Sequence, residues 1–329
     1  MQSITQIISP YNNHIKKIDQ IILEFSKGKS PLIHEISTHL IKSGGKRIRP
    51  ILLLMAADLC CQEIDAAVLS LAASVEMIHS ATLLHDDVVD NSLMRRNQQT
   101  ANSIWDNKAS ILVGDYIFSI AFQLMVKSDS LKALDLLAKT SSIMADGEVM
   151  QLENSNNIDI EFETYIKIIY GKTAILFSSA CCVPAIIASK SEEEFLALQE
   201  FGKNLGIIFQ IIDDILDYTA TQQNLGKKIG DDFFEGKVTL PLIKLYQQAS
   251  TQERDIINKI HQDNLMSIKN DENLRKIMDL IAKYDILTQC KQVVKSYKDK
   301  AIDNLKIFDD NSEKQRLISM LNHSSSRVK

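Results

Sequence analysis

The chain has few residues that interrupt helices: its 329 residues include 11 glycines and 5 prolines. No stretch rich in glycine, serine and proline divides it, so a flexible linker between two domains is not expected. The sequence also lacks the sustained alternation of apolar and polar residues that marks a half-buried strand, and it has no clear hairpin signal. These absences predict one all-α domain over residues 1–329, with the motifs at about 30–250 and further helices and a polar tail at 251–329.

Cysteine is sparse as well, with five residues in all. An odd number does not form a disulfide framework, and the adjacent pairs Cys60-Cys61 and Cys181-Cys182 lack the spacing of a zinc site. We therefore expect buried, inert thiols in a reducing cytoplasm rather than reactive ones.

Targeting signals and an excess of positive charge are also absent. The N-terminus has no basic start followed by an apolar core, so a secretory signal is not expected. No uncharged apolar run reaches the roughly 18–20 residues of a membrane span, so a transmembrane anchor is not expected either. The net charge of -5 argues against a general nucleic-acid binder.

An apolar stretch that begins near Ala66 ends in an acidic run, Leu83-Leu84-His85-Asp86-Asp87-Val88-Val89-Asp90. Its apolar residues recur at intervals of three and four, which predicts a buried or half-buried helix. Positions i and i+4 share a helix face, so Asp86 and Asp90 point the same way, with Asp87 beside them. Carboxylates that face a cleft suit Mg2+, which binds hard oxygen atoms and keeps positions for phosphate oxygens.

The same spacing recurs in a second apolar stretch, which supplies Asp213, Asp214 and Asp217. One such pentad is as compatible with a solvated helix end as with a metal site. Two such pentads, each at the end of an apolar run, are much harder to explain as solvated helix ends at the surface. If the two helices face each other, six carboxylates line one cavity that suits two or three Mg2+ ions and a polyphosphate.

Basic residues cluster in short motifs. In Gly44-Gly45-Lys46-Arg47-Ile48-Arg49-Pro50 the glycines end one helix, and Pro50 suits the first turn of the next. A glycine turn that leads into a helix beside cations is an anion site in physical terms, although a solvated loop is the plain alternative. Arg95 and Arg96 follow the first acidic run and suit either ion pairs or phosphate binding.

Three further polar features accompany these motifs. His79 lies two helical turns before Asp86, where it is either a satisfied core residue or a substrate contact. Lys172, beside Gly171 in an apolar helix, either reaches the surface or points into a polar cavity. The segment with Lys227 and Lys237 has the composition of a mobile lid over phosphates.

Taken together, the motifs resemble the trans-isoprenyl diphosphate synthases, the polyprenyl synthetase family. The matching stretches keep the family's order and cover roughly residues 30–250; they are Gly-Gly-Lys-Arg-Ile-Arg-Pro at 44–50, Leu-Leu-His-Asp-Asp-Val-Val-Asp at 83–90, Arg-Arg at 95–96, Gly-Lys-Thr at 171–173, Phe-Gln-Ile-Ile-Asp-Asp-Ile-Leu-Asp at 209–217 and the 227–237 loop. Two departures are Asn97-Gln98-Gln99, where the family often has Gly-Lys-Pro, and a tail that does not look like the family's.

The resemblance implies an all-helical fold around a deep central cavity and a head-to-tail condensation of an allylic diphosphate, farnesyl diphosphate being the expected primer, with isopentenyl diphosphate. It implies metal ligands at Asp86, Asp87, Asp90, Asp213, Asp214 and Asp217. It implies catalytic contacts to the allylic substrate from Arg95, Lys172, Thr173, Gln210 and Lys237, and contacts to isopentenyl diphosphate from Lys46, Arg49, His79 and Arg96. It also implies a homodimer, for which the apolar helix near Ser110–Phe122 is a candidate interface.

The chemistry agrees with this interpretation. Departure of a diphosphate builds negative charge, which Mg2+ and preplaced cations stabilise. The remaining allylic cation needs a dry pocket with a few oxygen dipoles, for which Thr173 and Gln210 are candidates. The released diphosphate takes the final proton, so no dedicated protein base is required.

Product length is argued from geometry. Ala81 and Thr82 lie about 6–7.5 Å along the helix before Asp86, where an aromatic ring would close the tunnel. Both are small, so we expect a long product of about C40 for a quinone side chain, rather than one of about C15–C20.

Two rivals remain. A terpene cyclase needs no second diphosphate site, which Lys46, Arg49 and Arg96 would form. A non-catalytic subunit of a heteromeric synthase typically lacks aspartates that are present here.

Overall fold

The computed structural model describes residues 3–27, 30–95, 98–219, 230–266, 268 and 270–327. Within them the helices, in chain order, are α1 Ile4–Ile8, α2 Asn12–Ser26, α3 Pro31–Lys42, α4 Ile48–Leu59, α5 Ala66–Val89, α6 Ala101–Trp105, α7 Asn107–Val126, α8 Leu131–Asn154, α9 Phe162–Ile169, α10 Ile175–Ile187, α11 Glu192–Thr219, α12 Asp231–Phe234, α13 Leu240–Gln248, α14 Thr251–Leu265, α15 Asp271–Lys283, α16 Ile286–Asn304 and α17 Ser312–Ser325. Short 3-10 turns lie at Ser9–Tyr11 and Leu305–Ile307, and a π-helical turn lies at Tyr170–Ala174. The all-α prediction is confirmed.

One small hairpin interrupts the helices. Strands β1 Met94–Arg95 and β2 Gln98–Gln99 pair antiparallel, with Met94 opposite Gln99 and Arg95 opposite Gln98. The sequence-based prediction contained no hairpin and is therefore wrong at this point. Strands of two residues are too short to produce the alternation by which a strand is recognised.

The core is built around α4, α5, α10 and α11. Helices α4 and α10 are apolar on nearly all faces and correspondingly buried, as expected of central helices. Helix α5 packs against α7, α4 and α2, while α10 packs against α11, α4 and α8. The two helices that end in aspartates, α5 and α11, both pack against α10.

In the described part of the chain, three helical stretches are long and apolar enough to cross a membrane: α5, α7 and Phe162–Ile187. All three carry charged residues, so they do not contradict the prediction that no uncharged apolar run is long enough to span a membrane, and the expected absence of a transmembrane anchor stays a prediction. Packing uses most of their apolar surface: 72%, 50% and 78% of the respective apolar windows are buried. Helix α7 differs from the other two in leaving half of its window outside the core.

The cysteines match their prediction with one exception. All five are free thiols, and four are buried. Cys61 is exposed because it lies in the left-handed turn that follows α4, where a helical pattern no longer applies.

Candidate active site

The C-terminal end of α5 presents two half-buried carboxylates, those of Asp86 and Asp90. Burial raises the pKa of Asp86, an effect that the charge of Asp90 reinforces and that of Lys172 opposes. Burial would also raise the pKa of Asp90, but Lys237 and Lys172 hold that pKa below its ordinary value. The ammonium of Lys237 is 2.9 Å from Asp90. The first acidic motif therefore meets the segment that follows α12.

Asp87 points away from this pair. Its side chain is only 4% exposed, and Nε and Nη2 of Arg95 both lie 2.8 Å from its Oδ1. Successive helical residues are about 100° apart, so one of two adjacent aspartates must leave the shared face. Asp87 thereby attaches the hairpin to α5, and its position does not support the assignment as a metal ligand. The predicted contact of Arg95 with substrate stays a prediction.

The second acidic motif divides in the same way. Asp213 lies half-buried at the surface of α11, 2.8 Å from Nη1 of Arg327. Asp214 is buried, accepts hydrogen bonds from Tyr165 and Gln210, and has a pKa that burial raises to about 7. The expectation that all six carboxylates line one cavity is therefore wrong for Asp87 and Asp214, which are turned into the fold and already hydrogen-bonded.

Asp217 joins α11 to the first motif. Its carboxylate accepts the backbone N–H groups of Asp232 and Phe233 at 3.4 and 3.3 Å. From the same short segment Lys237 reaches Asp90. Residues 231–237 thus touch both acidic helices.

The carboxylates suit a divalent ion in their chemistry. Within the described ranges no three metal-ligating side chains surround a common point, and cationic side chains hold Asp90 and Asp213 instead. The burial that raises the pKa of Asp86 shows that this oxygen donor is short of positive charge. Carboxylate oxygen atoms are ligands that Mg2+ prefers, so Asp86, Asp90 and Asp213 suit such an ion by their chemistry. Their assignment, and that of Asp217, stays a prediction.

The predicted anion loop is built around a residue that the prediction did not use. Gly44 has a φ of +73° and Arg47 a φ of +47°, which turns the chain before α4. The guanidinium of Arg47 is buried and pairs with Asp19 at 3.1 Å and Glu76 at 2.7 Å. Arg47 therefore joins α2, α4 and α5 and is not available to a ligand. The substrate contacts of Lys46 and Arg49, on either side of it, stay predictions.

Arg49 lies near a pair of aromatic rings that are tilted against each other, and Lys46 lies near the ion pair beside them. Arg49 sits 4.6 Å from the ring centroid of Phe177, whose ring is 5.3 Å from that of Phe209. Burial lowers the pKa of Lys46, Arg327 lowers it further, and Asp213 raises it. Lys46 therefore lies close enough to Arg327 and Asp213 for both charges to change its pKa.

Arg327 is the site residue that sequence reasoning missed. Its guanidinium lies 5.0 Å from the ring centroid of Phe209 and pairs with Asp213, and its side chain is 21% exposed. The prediction placed nothing functional in the tail. Helix α17 packs on α4 and α11, and this long-range packing, which has no local sequence signal, brings the tail to the site.

The π-helical turn carries Lys172 and Thr173. A Cβ at Gly147 of α8 would lie 2.7 Å from the backbone nitrogen of Lys172, so the two backbones are in direct contact. Lys172 pairs with Glu148 at 2.8 Å and is 21% exposed. Its charge also lowers the pKa of Asp86 and of Asp90, so Lys172 lies on the side of the first acidic motif, and its contact with substrate stays a prediction.

The remaining predicted residues are placed as follows. Thr173 donates to Gln210 at 2.8 Å. His79 is half-buried, and its carbonyl accepts the Thr82 hydroxyl at 2.9 Å. Ala81 is fully buried. The role of Ala81 and Thr82 in product length stays a prediction. Arg96 and Lys227 lie outside the described residues.

Comparison with known proteins decides the family. The model of the polyprenyl synthetase family matches residues 30–281. This chain belongs to the polyprenyl synthetase family. The predictions of family, of fold and of prenyltransferase activity are thereby confirmed. The family joins isopentenyl diphosphate to allylic diphosphates and depends on a divalent metal.

Relatives in this family match almost the whole chain. The octaprenyl diphosphate synthase of Haemophilus influenzae is 38% identical over 97% of this chain and 96% of its own length. That of Escherichia coli K12 is 40% identical over 92% of each. A decaprenyl diphosphate synthase from Rhodobacter capsulatus superposes with a TM-score of 0.92 at 38% identity, covering 99% of this chain and 100% of its own. A polyprenyl synthase from Caulobacter crescentus, solved with calcium and isoprenyl diphosphate, has a TM-score of 0.92 at 35% identity and covers 99% and 98%.

Proposed function

We propose that this chain elongates an allylic diphosphate with isopentenyl diphosphate to a long all-trans polyprenyl diphosphate of about C40. The observation that carries the proposal is the arrangement of cations around the acidic helices. Lys172 and Lys237 lie by Asp86 and Asp90, while Lys46, Arg49 and Arg327 lie by Asp213 and the ring pair. A condensation of two diphosphates needs two such anion sites, whereas a cyclase needs one.

Asp86, Asp90 and Asp213 would hold two or three Mg2+ ions, which when bound supply positive charge to the departing diphosphate. Lys172, Lys237 and Arg95 would bind and orient the same diphosphate. Thr173 and Gln210 would direct oxygen atoms toward the allylic carbon as its positive charge develops.

The second substrate would be held on the other side of Asp213. Lys46, Arg49, His79, Arg96 and Arg327 would bind the diphosphate of isopentenyl diphosphate. Arginine suits this role because its planar fork binds phosphate oxygens in pairs. The double bond would then attack the allylic carbon, and the released diphosphate would take the proton.

Three finer points belong to the proposal. Farnesyl diphosphate is the primer, and a quinone side chain is the use of the product. The chain forms a homodimer through α7, on which Ile111, Leu112 and Val126 are exposed. The cytoplasm is its location, in agreement with five free thiols.

A product assay tests the reaction and the length together. Purified protein is incubated with farnesyl diphosphate, labelled isopentenyl diphosphate and Mg2+, and the dephosphorylated products are sized. A product of about C40 is expected. A product of about C15–C20 would refute the open tunnel at Ala81 and Thr82, and the absence of elongation by folded protein would refute the reaction.

Two variants test the metal ligands. Asp86→Ala and Asp213→Ala should abolish turnover at saturating Mg2+. Asp135→Ala is the matched control, because Asp135 is exposed on α8 and pairs only with Lys139 in the same helix. Retained activity in Asp86→Ala or Asp213→Ala would contradict the assignment.

A further inference from the structure

Behind Thr173 lies a chain of hydrogen bonds that the reaction scheme does not use. Oγ1 of Thr173 donates to Oε1 of Gln210 at 2.8 Å, and Nε2 of Gln210 donates to Oδ1 of Asp214 at 3.0 Å. The other oxygen of Asp214, Oδ2, accepts the Tyr165 hydroxyl at 2.6 Å and the Leu240 backbone N–H at 3.4 Å. Four elements, α9, the π-helical turn, α11 and the start of α13, therefore meet at one buried carboxylate.

This chain of contacts has a direction. Above its pKa of about 7 the Asp214 carboxylate accepts hydrogen bonds and has none to donate, whereas a glutamine amide has one accepting and one donating end. Asp214 therefore selects the nitrogen of the Gln210 amide and leaves its oxygen on the side of Thr173. Without Asp214 the amide could present either end to Thr173, since a hydroxyl both donates and accepts.

We propose that Asp214 and Tyr165 are positioning residues that hold the Gln210 amide with its oxygen toward Thr173 and the reacting allylic carbon. This inference rests on the proposed function. An oxygen dipole fixed in advance stabilises a developing cation, and an NH2 group in the same place would oppose it. It also gives the middle aspartate of the second acidic motif a task other than metal binding.

Tyr165 makes the orientation specific. Its hydroxyl and the Leu240 N–H both donate to Oδ2, so the atom of residue 214 at this position must accept hydrogen bonds. In an Asp214→Asn variant the amide oxygen would occupy the position of Oδ2, and the new NH2 group would face Gln210. Gln210 would then turn its oxygen toward residue 214 and its own NH2 group toward Thr173.

The test is an isosteric pair of variants. Asp214→Asn should lower the single-turnover rate of the first condensation by about 100-fold, a typical effect of one misplaced dipole in an active site. The KM values of both substrates should be unchanged. In Asp214→Asn/Gln210→Glu both ends of residue 210 are oxygen atoms, and the total charge equals that of the wild type. The single-turnover rate of the double variant should be at least tenfold higher than that of Asp214→Asn. A merely structural role of Asp214 would not predict this recovery.

Metal dependence is the second readout. Asp213→Asn, the positive control, should raise the Mg2+ concentration that gives half-maximal rate, while Asp214→Asn should leave it unchanged. A raised Mg2+ requirement in Asp214→Asn would make Asp214 a metal ligand and overturn the proposal. So would a wild-type rate in Asp214→Asn, or a double variant no faster than the single one.

Thermal denaturation establishes that each variant is folded. If Asp214→Asn does not fold, Tyr165→Phe takes its place, since it removes one donor and leaves the carboxylate. A lower rate at unchanged KM is then expected, and an unchanged rate would overturn the proposal. Wild-type protein that forms no product would refute the proposed function itself, whereas active wild type with an unaffected variant would refute only the positioning role.

Discussion

Removal of the Arg47 guanidinium should both destabilise the protein and weaken one substrate site. Arg47 joins Asp19 of α2 to Glu76 of α5 at the start of α4. In Arg47→Met the side chain keeps an unbranched apolar stem, and the left-handed backbone costs the same because neither residue is β-branched. What is lost is the positive charge between two carboxylates.

The two carboxylates contribute unequally. Asp19 is 31% exposed, and a contact of that kind is worth at most about 1 kcal/mol. Glu76 is 6% exposed, and removal of one member of a buried ion pair costs about 3–5 kcal/mol. With an unfolding entropy of about 2.1 cal/mol/K per residue, a loss of about 4 kcal/mol lowers the Tm of 329 residues by about 6 °C.

The assay is thermal denaturation combined with the KM of each substrate. The KM for isopentenyl diphosphate should rise in Arg47→Met, because Lys46 and Arg49 flank the lost contact, and the KM for the allylic substrate should not. Arg47→Met/Glu76→Gln is the control, since removal of both charges should recover most of the lost Tm. Equal Tm values for the single and double variants would refute the buried charge as the cause. An unchanged KM would refute the role of Arg47 in holding the loop.

Other predictions address the tunnel, a backbone contact, pH and metal. Ala81→Phe should shorten the product, as sized by chromatography, and an unchanged length would mean that the tunnel does not pass Ala81. Gly147→Ala should cost about 1–3 kcal/mol, seen as a lower Tm, because its Cβ would lie 2.7 Å from the Lys172 nitrogen. Burial lowers the pKa of His261, so the unfolded chain takes up the proton first and the free energy of unfolding should fall as pH decreases through about 6.5. His261→Gln should reduce that slope in denaturant titrations, leaving the part due to His323, whose pKa is lowered as well. A chelator should stop product formation without loss of helical circular dichroism, and added Mg2+ should restore it.

Much of this molecule follows from local pattern. The three- and four-residue apolar spacing around Ala66–Val89 predicts α5, and the i, i+4 rule puts Asp86 and Asp90 on one face. The same rule, applied to adjacent residues, predicts that Asp87 and Asp214 point away from that face. Their assignment as ligands came from treating each acidic motif as one block, although the helix period separates its members.

Other features depend on contacts between distant segments. Nothing near Arg327 in the sequence indicates that packing of α17 brings it to Asp213. The π-helical turn at Tyr170–Ala174 is likewise set by the backbone contact with α8 rather than by a recognisable signal. The task of Arg47 differs from that of Lys46 and Arg49 only because Asp19 and Glu76 lie within reach.

The contact between Gly147 and Gly171 contains no side chain that could change its rotamer. Two backbones that already touch cannot approach further without a clash, so this contact fixes the distance between α8 and the π-helical turn. It thereby sets the separation of Glu148 on α8 and Lys172 on the turn, and a side chain added at either glycine would move the Lys172 ammonium relative to Asp86 and Asp90.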